Sequence, residues 1–268
     1  MSDARLNAIV PPLGDRSAPA RFVQGLTMPF RGLGFLLVRP RLWVYLALPT
    51  LISGGLVVSA IWASLMATPR VVDWMWAMPQ GGLLLPIWYL TVALTAVLLV
   101  GLTTLFVYLL SGLIGTPFWD RLSQEVERIC VGHEDEPFDW RRFAVDVRQS
   151  ILHSAASIAM WVACMSVLVV LSFVPVVGTA VEFALSVVVT AFFLGRETMD
   201  GAMSRRRMTF MRKVRTLFAN KAVVQGHGVV TSLLLWIPLL NFLLMPISVI
   251  GGTLLFMRLE ADGLVPKD

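Results

Sequence analysis

The stretch Phe173-Val-Pro-Val-Val-Gly178, within the apolar run SVLVVLSFVPVVGTAVEF (166–183), decides how this chain folds. The run is long enough for a membrane helix, yet a proline and a glycine stand near its middle. Proline removes a helical hydrogen bond, and glycine tolerates the left-handed backbone of a turn. Further along, Trp236-Ile-Pro-Leu-Leu-Asn241 interrupts a second apolar run in the same way. Each interruption predicts a helical hairpin with an uncharged turn.

Composition places the chain in a membrane. Of 268 residues, 57% are hydrophobic and only 15% are charged, and the mean hydropathy is +0.76. No charged residue occurs in 42–69 or 74–119. A spanning helix needs about 20 apolar residues, so these runs qualify. The net charge of +5 then reflects a positive-inside bias and not a nucleic-acid partner.

We therefore expect an all-α membrane protein with two long transmembrane helices, two proline-turned hairpins that dip into or cross the bilayer, and amphipathic interfacial helices. Residues 1–20 are expected to be a disordered tail and 259–268 a C-terminal tail. A single membrane domain is expected over 21–258, with an interfacial helix over about 21–39, spans at about 42–66 and 83–114, a cytoplasmic helical segment over 118–148, and hairpins over about 151–195 and 222–257.

The lengths of the hairpin arms predict how deeply they enter the bilayer, and the distribution of charge predicts the orientation of the chain in the membrane. Each arm of the second hairpin has about 16 residues, or about 24 Å, which is short of a hydrocarbon core of about 30 Å. We expect this hairpin to enter the bilayer without emerging, whereas the first hairpin is long enough to span. The segment 196–221 holds eight Lys or Arg against two acids. The positive-inside rule then places this segment and both termini in the cytoplasm, with the protein in the cytoplasmic (inner) membrane.

The sequence resembles the bacterial CysZ sulfate-permease family, to which the eukaryotic etoposide-induced membrane proteins are distantly related. The stretches that carry the resemblance are Gly25, LALP (46–49), GTPFWDRLSQEVE (115–127), FVPVVGTAV (173–181), Asp200 and GVVTSLLLWIPLLNFLLMPISVIGGTLLF (228–256). The resemblance implies two long transmembrane helices, two partly penetrating hairpins, homo-oligomers, and passage of sulfate into the cytoplasm for cysteine biosynthesis.

Two family motifs are altered. The family's Gly-aliphatic-Arg-Arg, which holds sulfate ahead of the first span, becomes Arg41-Leu-Trp-Val44 here. The family's Tyr-x-Asp-Tyr-Pro becomes Thr198-Met-Asp200-Gly-Ala. The tandem arginines are absent, although Arg39 and Arg41 flank Pro40.

Arg39, Arg41 and Leu42 are the candidate anion-binding residues. A helix start offers free backbone N–H groups, and two guanidiniums add bidentate donors suited to a tetrahedral oxyanion. The alternative is that these arginines only anchor the helix to anionic headgroups.

The candidate pore or gate residues lie at the hairpin turns: Pro175, Gly178, Glu182, Pro238 and Asn241. Their freed backbone groups could line a pore, or they could simply make the turns. Glu182 is the only acid within the apolar regions, and intramembrane acids are functional candidates. It could gate anions, pair with His153 or His227, or reach water at the hairpin tip.

Two clusters of charged residues, in 205–215 and 119–128, can be explained without a role in transport. The basic residues of 205–215 could collect anions at a cytoplasmic mouth, although a solvated, lipid-facing topology signal is the commoner explanation. Those residues are Arg205, Arg206, Arg207, Arg212, Lys213 and Arg215. In 119–128, Glu125 and Glu127 are expected to form surface pairs with Arg121 and Arg128.

No catalytic constellation, metal cluster or cofactor motif occurs in the sequence, so we expect neither an enzyme nor a cofactor. The expected function is uptake of sulfate or a similar small inorganic oxyanion by a channel or transporter. The alternative is a membrane scaffold of the same fold without transport. The expected partners are the anion, membrane lipids and further copies of the chain.

Overall fold

The computed structural model describes residues 3–13, 17–82, 84–132, 140–174, 177–235 and 241–266. Over these residues the chain is helical apart from short turns, and it contains no β-strand. The described helices are α1 (Asp3–Ile9), α2 (Ala18–Leu37), a 3₁₀ turn (Pro40–Leu42), α3 (Trp43–Met75), α4 (Leu84–Val131), α5 (Trp140–Ser172), α6 (Gly178–Arg205), α7 (Phe210–Ala219), α8 (Lys221–Leu235) and α9 (Asn241–Ala261).

Five helical segments of the described chain have the length and composition to cross a membrane, as expected for an all-α membrane protein. They are Pro40–Met75, Leu84–Tyr108, Ala155–Ser172, Gly178–Arg205 and Leu244–Ala261. In the first four, between 6% and 17% of the apolar window is buried, but in the last 78% is buried. The returning arm of the second hairpin is therefore enclosed by protein, and the other four expose apolar side chains that a bilayer would cover.

The two long helices extend further than the sequence predicted. The first span was expected to end near Met66, but α3 continues through Pro69 to Met75. The second was expected to end near Ile114, but α4 continues through Pro117 to Val131 without a break. A proline removes one hydrogen bond and can be accommodated in a long helix, because neighbouring groups satisfy the freed carbonyl.

The expected cytoplasmic segment 118–148 is divided between two helices. Its first part is the end of α4, and its second part, from Trp140, is the start of α5. Between these two helices, residues 133–139 lie outside the described part of the chain, and Gly132, which has a φ of 74°, follows the end of α4. A glycine suits that left-handed position after a helix end.

The chain divides into two compact units, of which the smaller is Val44–Phe118. It contains most of α3 and the first part of α4. The hydroxyls of Ser64 and Thr103 join the two helices at 2.7 Å, and the Trp88 indole donates to the Trp76 carbonyl at 3.2 Å. Small hydroxyl residues let transmembrane helices approach closely while satisfying their polar groups.

The larger unit comprises Met1–Trp43 and Trp119–Asp268. Its helices α2, α6, α8 and α9 pack against one another. Glycines mark the contacts, because a Cβ at Gly25 or Gly226 would collide with backbone across the α2–α8 contact. A Cβ at Gly195 would lie 2.6 Å from the Val224 carbonyl oxygen, and one at Gly251 would lie 2.7 Å from that of Met28. The predicted interfacial helix α2 is thus also part of the core.

The tail expected to be disordered over 1–20 is partly ordered, which corrects that expectation. It contains α1, and α2 begins at Ala18. Leu6, Val10 and Leu13 are buried. Burial of these apolar side chains favours an ordered structure for this segment. The polar, proline-rich composition had instead suggested disorder.

Candidate functional site

The proposed anion-binding residues lie in the turn between α2 and α3. Leu42 is fully buried, and its amide donates to the Arg39 carbonyl at 3.0 Å. The next amide, of Trp43, donates to the Pro40 carbonyl. These two backbone donors at the helix start are therefore already used within the turn.

The two arginines of this turn differ in how free their guanidiniums are to bind an anion. The Arg39 guanidinium lies over the Phe35 ring, 3.7 Å from its centroid, and donates to the Phe35 carbonyl at 3.3 Å. Arg41 is exposed, and no residue in the described part of the chain forms a hydrogen bond or ion pair with its side chain. Arg41 is thus the freer donor to a bound oxyanion.

The first hairpin turn is only partly described. Pro175 lies outside the described residues, whereas Gly178 is the first residue of α6. A Cβ at Gly178 would lie 2.6 Å from the Leu171 carbonyl oxygen and 3.0 Å from that of Ser172. Glycine is therefore required here for the two arms to approach each other, and a turn-forming role accounts for this residue.

The second hairpin turn, 236–240, lies outside the described residues and includes Pro238. Asn241 is the first residue of α9, which then continues to Ala261. The arms α8 and α9 have 15 and 21 residues. At 1.5 Å per residue they are about 22 and about 31 Å long.

Glu182 lies one turn into α6 and is half-buried. Its neighbours Val181 and Phe183 are exposed apolar residues. His227 is not its partner, because the His227 ring contacts Thr198, which is about 24 Å further along α6. The side chain of His153 lies outside the description.

His227 was named in the sequence only as a possible partner of Glu182, and the structure gives it a different place. It is fully buried, and its Nε2 lies 2.8 Å from the Thr198 hydroxyl. This hydrogen bond joins α8 to α6 next to the close contact of α8 with Gly25 of α2. The residue therefore helps to hold three helices together.

A network of charges that sequence reasoning missed joins the ends of α4, α6 and α9. Glu127 accepts hydrogen bonds from Arg205 at 3.1 Å and from Arg206 at 2.8 Å. Arg205 also pairs with Asp120 at 2.8 Å, and Arg206 pairs with Glu260 at 2.7 Å. The Asp120 side chain is half exposed, and partial removal of its carboxylate from water raises its pKa, although the Arg205 charge opposes this effect.

This network corrects two expectations from the sequence. Arg205 and Arg206 are not free cations, because α4 and α9 provide their partners. Glu127 is not a surface residue paired along its own helix, since it is buried and contacts residues far away in the chain. The neighbouring pair Glu125–Arg128 does form, at 2.5 Å, as the spacing predicted.

Asp200, which carries part of the family resemblance, holds a second buried cluster. It accepts from Lys213 of α7 at 3.0 Å and from Arg196 at 3.4 Å, and it also accepts from the Ser204 hydroxyl. Lys213 is fully buried and bonds Ser204 at 2.7 Å as well. Two cations and one carboxylate therefore fix α7 against α6.

The structure does not bring all the candidate site residues together. Arg39, Arg41 and Leu42 share one turn, and Gly178 and Glu182 share the start of α6. Among the described residues, no hydrogen bond or ion pair connects these two groups. In the part of the chain that the structure describes, no group of three or more His, Cys, Asp or Glu forms a potential metal site.

These features define a multi-pass helical membrane protein with two helical hairpins and a cationic turn before its first long helix. The family described as Sulfate transporter CysZ/Etoposide-induced protein 2.4 matches residues 28–246, and the chain belongs to that family. The resemblance inferred from the sequence motifs is thereby confirmed.

Several curated relatives are similar over most of their length. The protein named Sulfate transporter CysZ of Pseudomonas paraeruginosa is 27% identical over 239 residues, which are 85% of this chain and 92% of that protein. The protein of the same name in Pseudomonas aeruginosa is 26% identical over 253 residues, or 94% and 98% of the two chains. That of Pectobacterium atrosepticum is 24% identical over 218 residues, or 80% and 77%.

Proposed function

We propose that this protein mediates uptake of sulfate, or of a similar small inorganic oxyanion, across the cytoplasmic membrane. The observation that carries the proposal is the match to proteins named Sulfate transporter CysZ over 94% of this chain and 98% of the relative. A match of this extent includes the spans and both hairpins, so it supports a shared function of the whole molecule. The protein acts by transport and not by catalysis, and the oxyanion enters the cytoplasm for cysteine biosynthesis.

The turn before α3 captures the anion. Arg41 provides an exposed guanidinium that has no partner in the part of the chain that the structure describes, and Arg39 retains donors that Phe35 does not use. A guanidinium binds a tetrahedral oxyanion through two parallel N–H donors. The buried Leu42 fixes the turn that positions them. Capture depends on these side chains, because the Leu42 and Trp43 amides are already bonded.

The hairpins provide the route through the bilayer. Their proline turns at 175 and 238, with Gly178 and Asn241, border the polar path, and Glu182 lies close to the first turn. Non-helical backbone is tolerated at membrane depth only where protein or a water-filled cavity surrounds it. The burial of α9 within the protein supports this arrangement for the second hairpin. The working form is a homo-oligomer with both termini in the cytoplasm.

The alternative function is a membrane scaffold of the same fold. Arg41-Leu-Trp-Val44 stands where the family places tandem arginines, and this difference favours loss of transport. Arg39 and Arg41 on either side of Pro40 favour retained binding.

Uptake of labelled sulfate into proteoliposomes tests the proposal. Reconstituted protein should admit sulfate down its gradient faster than protein-free vesicles, and the Arg39→Ala/Arg41→Ala variant should admit it more slowly. Selenate and phosphate in the same assay define which oxyanions are accepted. Uptake equal to that of empty vesicles, by protein that is folded and assembled, would exclude transport and leave the scaffold.

A further inference from the structure

The short helix α7 has a firmly held inner face. Lys213, Thr216 and Leu217 are buried, and Lys213 bonds Asp200 and Ser204 of α6. The Thr209 hydroxyl caps the helix by accepting from the Arg212 amide at 3.3 Å. Polar contacts of this inner face therefore hold α7 against α6.

The outer face of α7 combines apolar and cationic side chains. Met211, Arg215 and Phe218 occur at i, i+4 and i+7, which places them on one side of a helix. Met211 is 58% exposed and Phe218 is 56% exposed. Arg215 is exposed, and so is Lys221 at the start of α8. We call these four residues the α7 surface.

The cations of the α7 surface have no counter-charge within the described chain. Neither Arg215 nor Lys221 forms an ion pair or side-chain hydrogen bond with any described residue, although other cations nearby do. Two cations beside exposed apolar side chains form a surface that suits a ligand with both an anionic and an apolar part. An anionic group linked to an apolar body is the chemistry of an anionic phospholipid.

The contact of Phe218 with α6 places the α7 surface at the membrane boundary. The Phe218 ring lies 5.1 Å from the Phe192 ring, centroid to centroid. Phe192 is in the candidate span Gly178–Arg205, one turn before Arg196, where the charged part of that helix begins. Phe218 is therefore level with the last apolar turn of α6. An aromatic ring at that depth lies between headgroups and acyl chains.

We propose that the α7 surface binds anionic phospholipid. Met211 and Phe218 enter the acyl boundary, and Arg215 and Lys221 pair with headgroup phosphate. This binding does not depend on the proposed transport function, because a non-transporting scaffold with the same α7 would bind lipid equally.

Lipid retention by the purified full-length protein tests the cations. Protein extracted from an equimolar mixture of phosphatidylglycerol and phosphatidylcholine is examined by native mass spectrometry for the lipid that stays bound. The Arg215→Gln/Lys221→Gln variant should lower the ratio of retained phosphatidylglycerol to phosphatidylcholine by at least about 5-fold. The matched control is Arg121→Gln/Arg128→Gln, which removes the same charge from α4 and should keep the wild-type ratio. A wild-type ratio in the α7 variant would overturn the proposal.

A depth measurement tests the apolar residues separately. A nitroxide is attached at Phe218→Cys or Met211→Cys, with Cys130 and Cys164 replaced by serine, and a label at the exposed position Arg128→Cys serves as the aqueous reference. In vesicles of the same lipid mixture, labels on α7 should collide with oxygen more than with a water-soluble nickel chelate, and the reference label should show the reverse. Greater collision with nickel on α7 would overturn the proposal. Spin–spin broadening with exclusion of both reagents would also overturn it, since a second copy would then cover the surface.

Discussion

At the scale of single residues, the contacts of the turn between α2 and α3 predict that its two arginines contribute unequally to sulfate binding. Arg41 has no protein partner among the described residues, whereas the Arg39 guanidinium is held by Phe35. Arg41→Ala should therefore weaken sulfate binding by about 10-fold or more, the loss expected for charge-assisted hydrogen bonds. Arg39→Ala should weaken it less, and the double variant should abolish it. Sulfate-dependent quenching of tryptophan fluorescence in purified protein measures these affinities.

Two further variants make this prediction specific. Arg41→Lys keeps the charge but loses the planar pair of donors, so its affinity should lie between those of wild type and Arg41→Ala. Arg121→Gln removes an exposed arginine of α4 and should bind as wild type does. If the double variant binds sulfate normally, the two arginines are headgroup anchors and the anion site lies elsewhere.

The residue scale also shows the limit of sequence reasoning about the site. The anion site at 39–42 rests on a local signal, two arginines and a proline ahead of an apolar run, and it stays a prediction. The place of His227 could not be predicted in this way. Its partner Thr198 is on a different helix, and a lone histidine in an apolar run carries no signal of what it will contact.

At the scale of the helices, close packing of α2 depends on glycine. A Cβ at Gly25 would collide with the Val223 carbonyl oxygen, which is backbone and cannot move aside. Gly25→Ala should therefore lower the free energy of unfolding in detergent by at least about 2 kcal/mol. Gly34 is on the same helix, and among the described residues no other helix comes within 4 Å of its Cβ position. Gly34→Ala should be neutral or stabilising, by about 0.5–1 kcal/mol, since alanine is the better helix former.

Thermal unfolding of the two glycine variants in one detergent provides the comparison. The contrast between two alanines on one helix separates steric packing from helix propensity. Equal midpoints for Gly25→Ala and Gly34→Ala would contradict the close approach of α2 and α8.

Glu127 is predicted to be the main link between the ends of α4 and α6. Glu127→Ala leaves Arg205 and Arg206 without their shared carboxylate, and all three side chains are less than one-third exposed. We expect a loss of about 1–3 kcal/mol in unfolding free energy. The control, Glu125→Ala, removes a single pair within α4 whose cation, Arg128, is half exposed, and it should cost less than about 0.5 kcal/mol. A similar small effect for both variants would show that the network contributes little.

The helices themselves were largely predictable, but their ends and long-range contacts were not. Runs without charge and turns with proline are local features, and they correctly predicted the long helices and the arms of the hairpins. The same reasoning ended α4 too early, because it assumed that Pro117 stops a helix. The Glu127 network joins residues whose sequence separation is 78 and 79, and helical spacing suggested nearer partners.

At the scale of the whole chain, contacts within the larger unit tie the two ends together. The Leu13 amide donates to Asp262 at 2.7 Å, and Arg258 of α9 bonds Asn7 and Asp262. Burial raises the pKa of Asp262, but the hydrogen bonds from Arg258 and Leu13 outweigh it, so the pKa lies below the usual value. The carboxylate is therefore ionised at neutral pH, and it ties the two ends of the chain to each other.

This contact, together with the charge distribution, predicts the topology. Because both ends are joined, we expect an even number of crossings between them, and the positive charge of the adjoining segments predicts that these ends lie in the cytoplasm. Single cysteines at Ser17→Cys and Ala261→Cys should then resist a membrane-impermeant maleimide in intact cells. A cysteine at Gln80→Cys, between α3 and α4, should react.

The background carries Cys130→Ser and Cys164→Ser, and permeabilised cells provide the control in which all three sites react. Labelling of Ser17→Cys and Ala261→Cys from outside would reverse the orientation, and labelling of only one of them would contradict the joined ends. Partial labelling at all three positions would mean that the chain inserts in both directions, in which case positive charge does not determine its orientation.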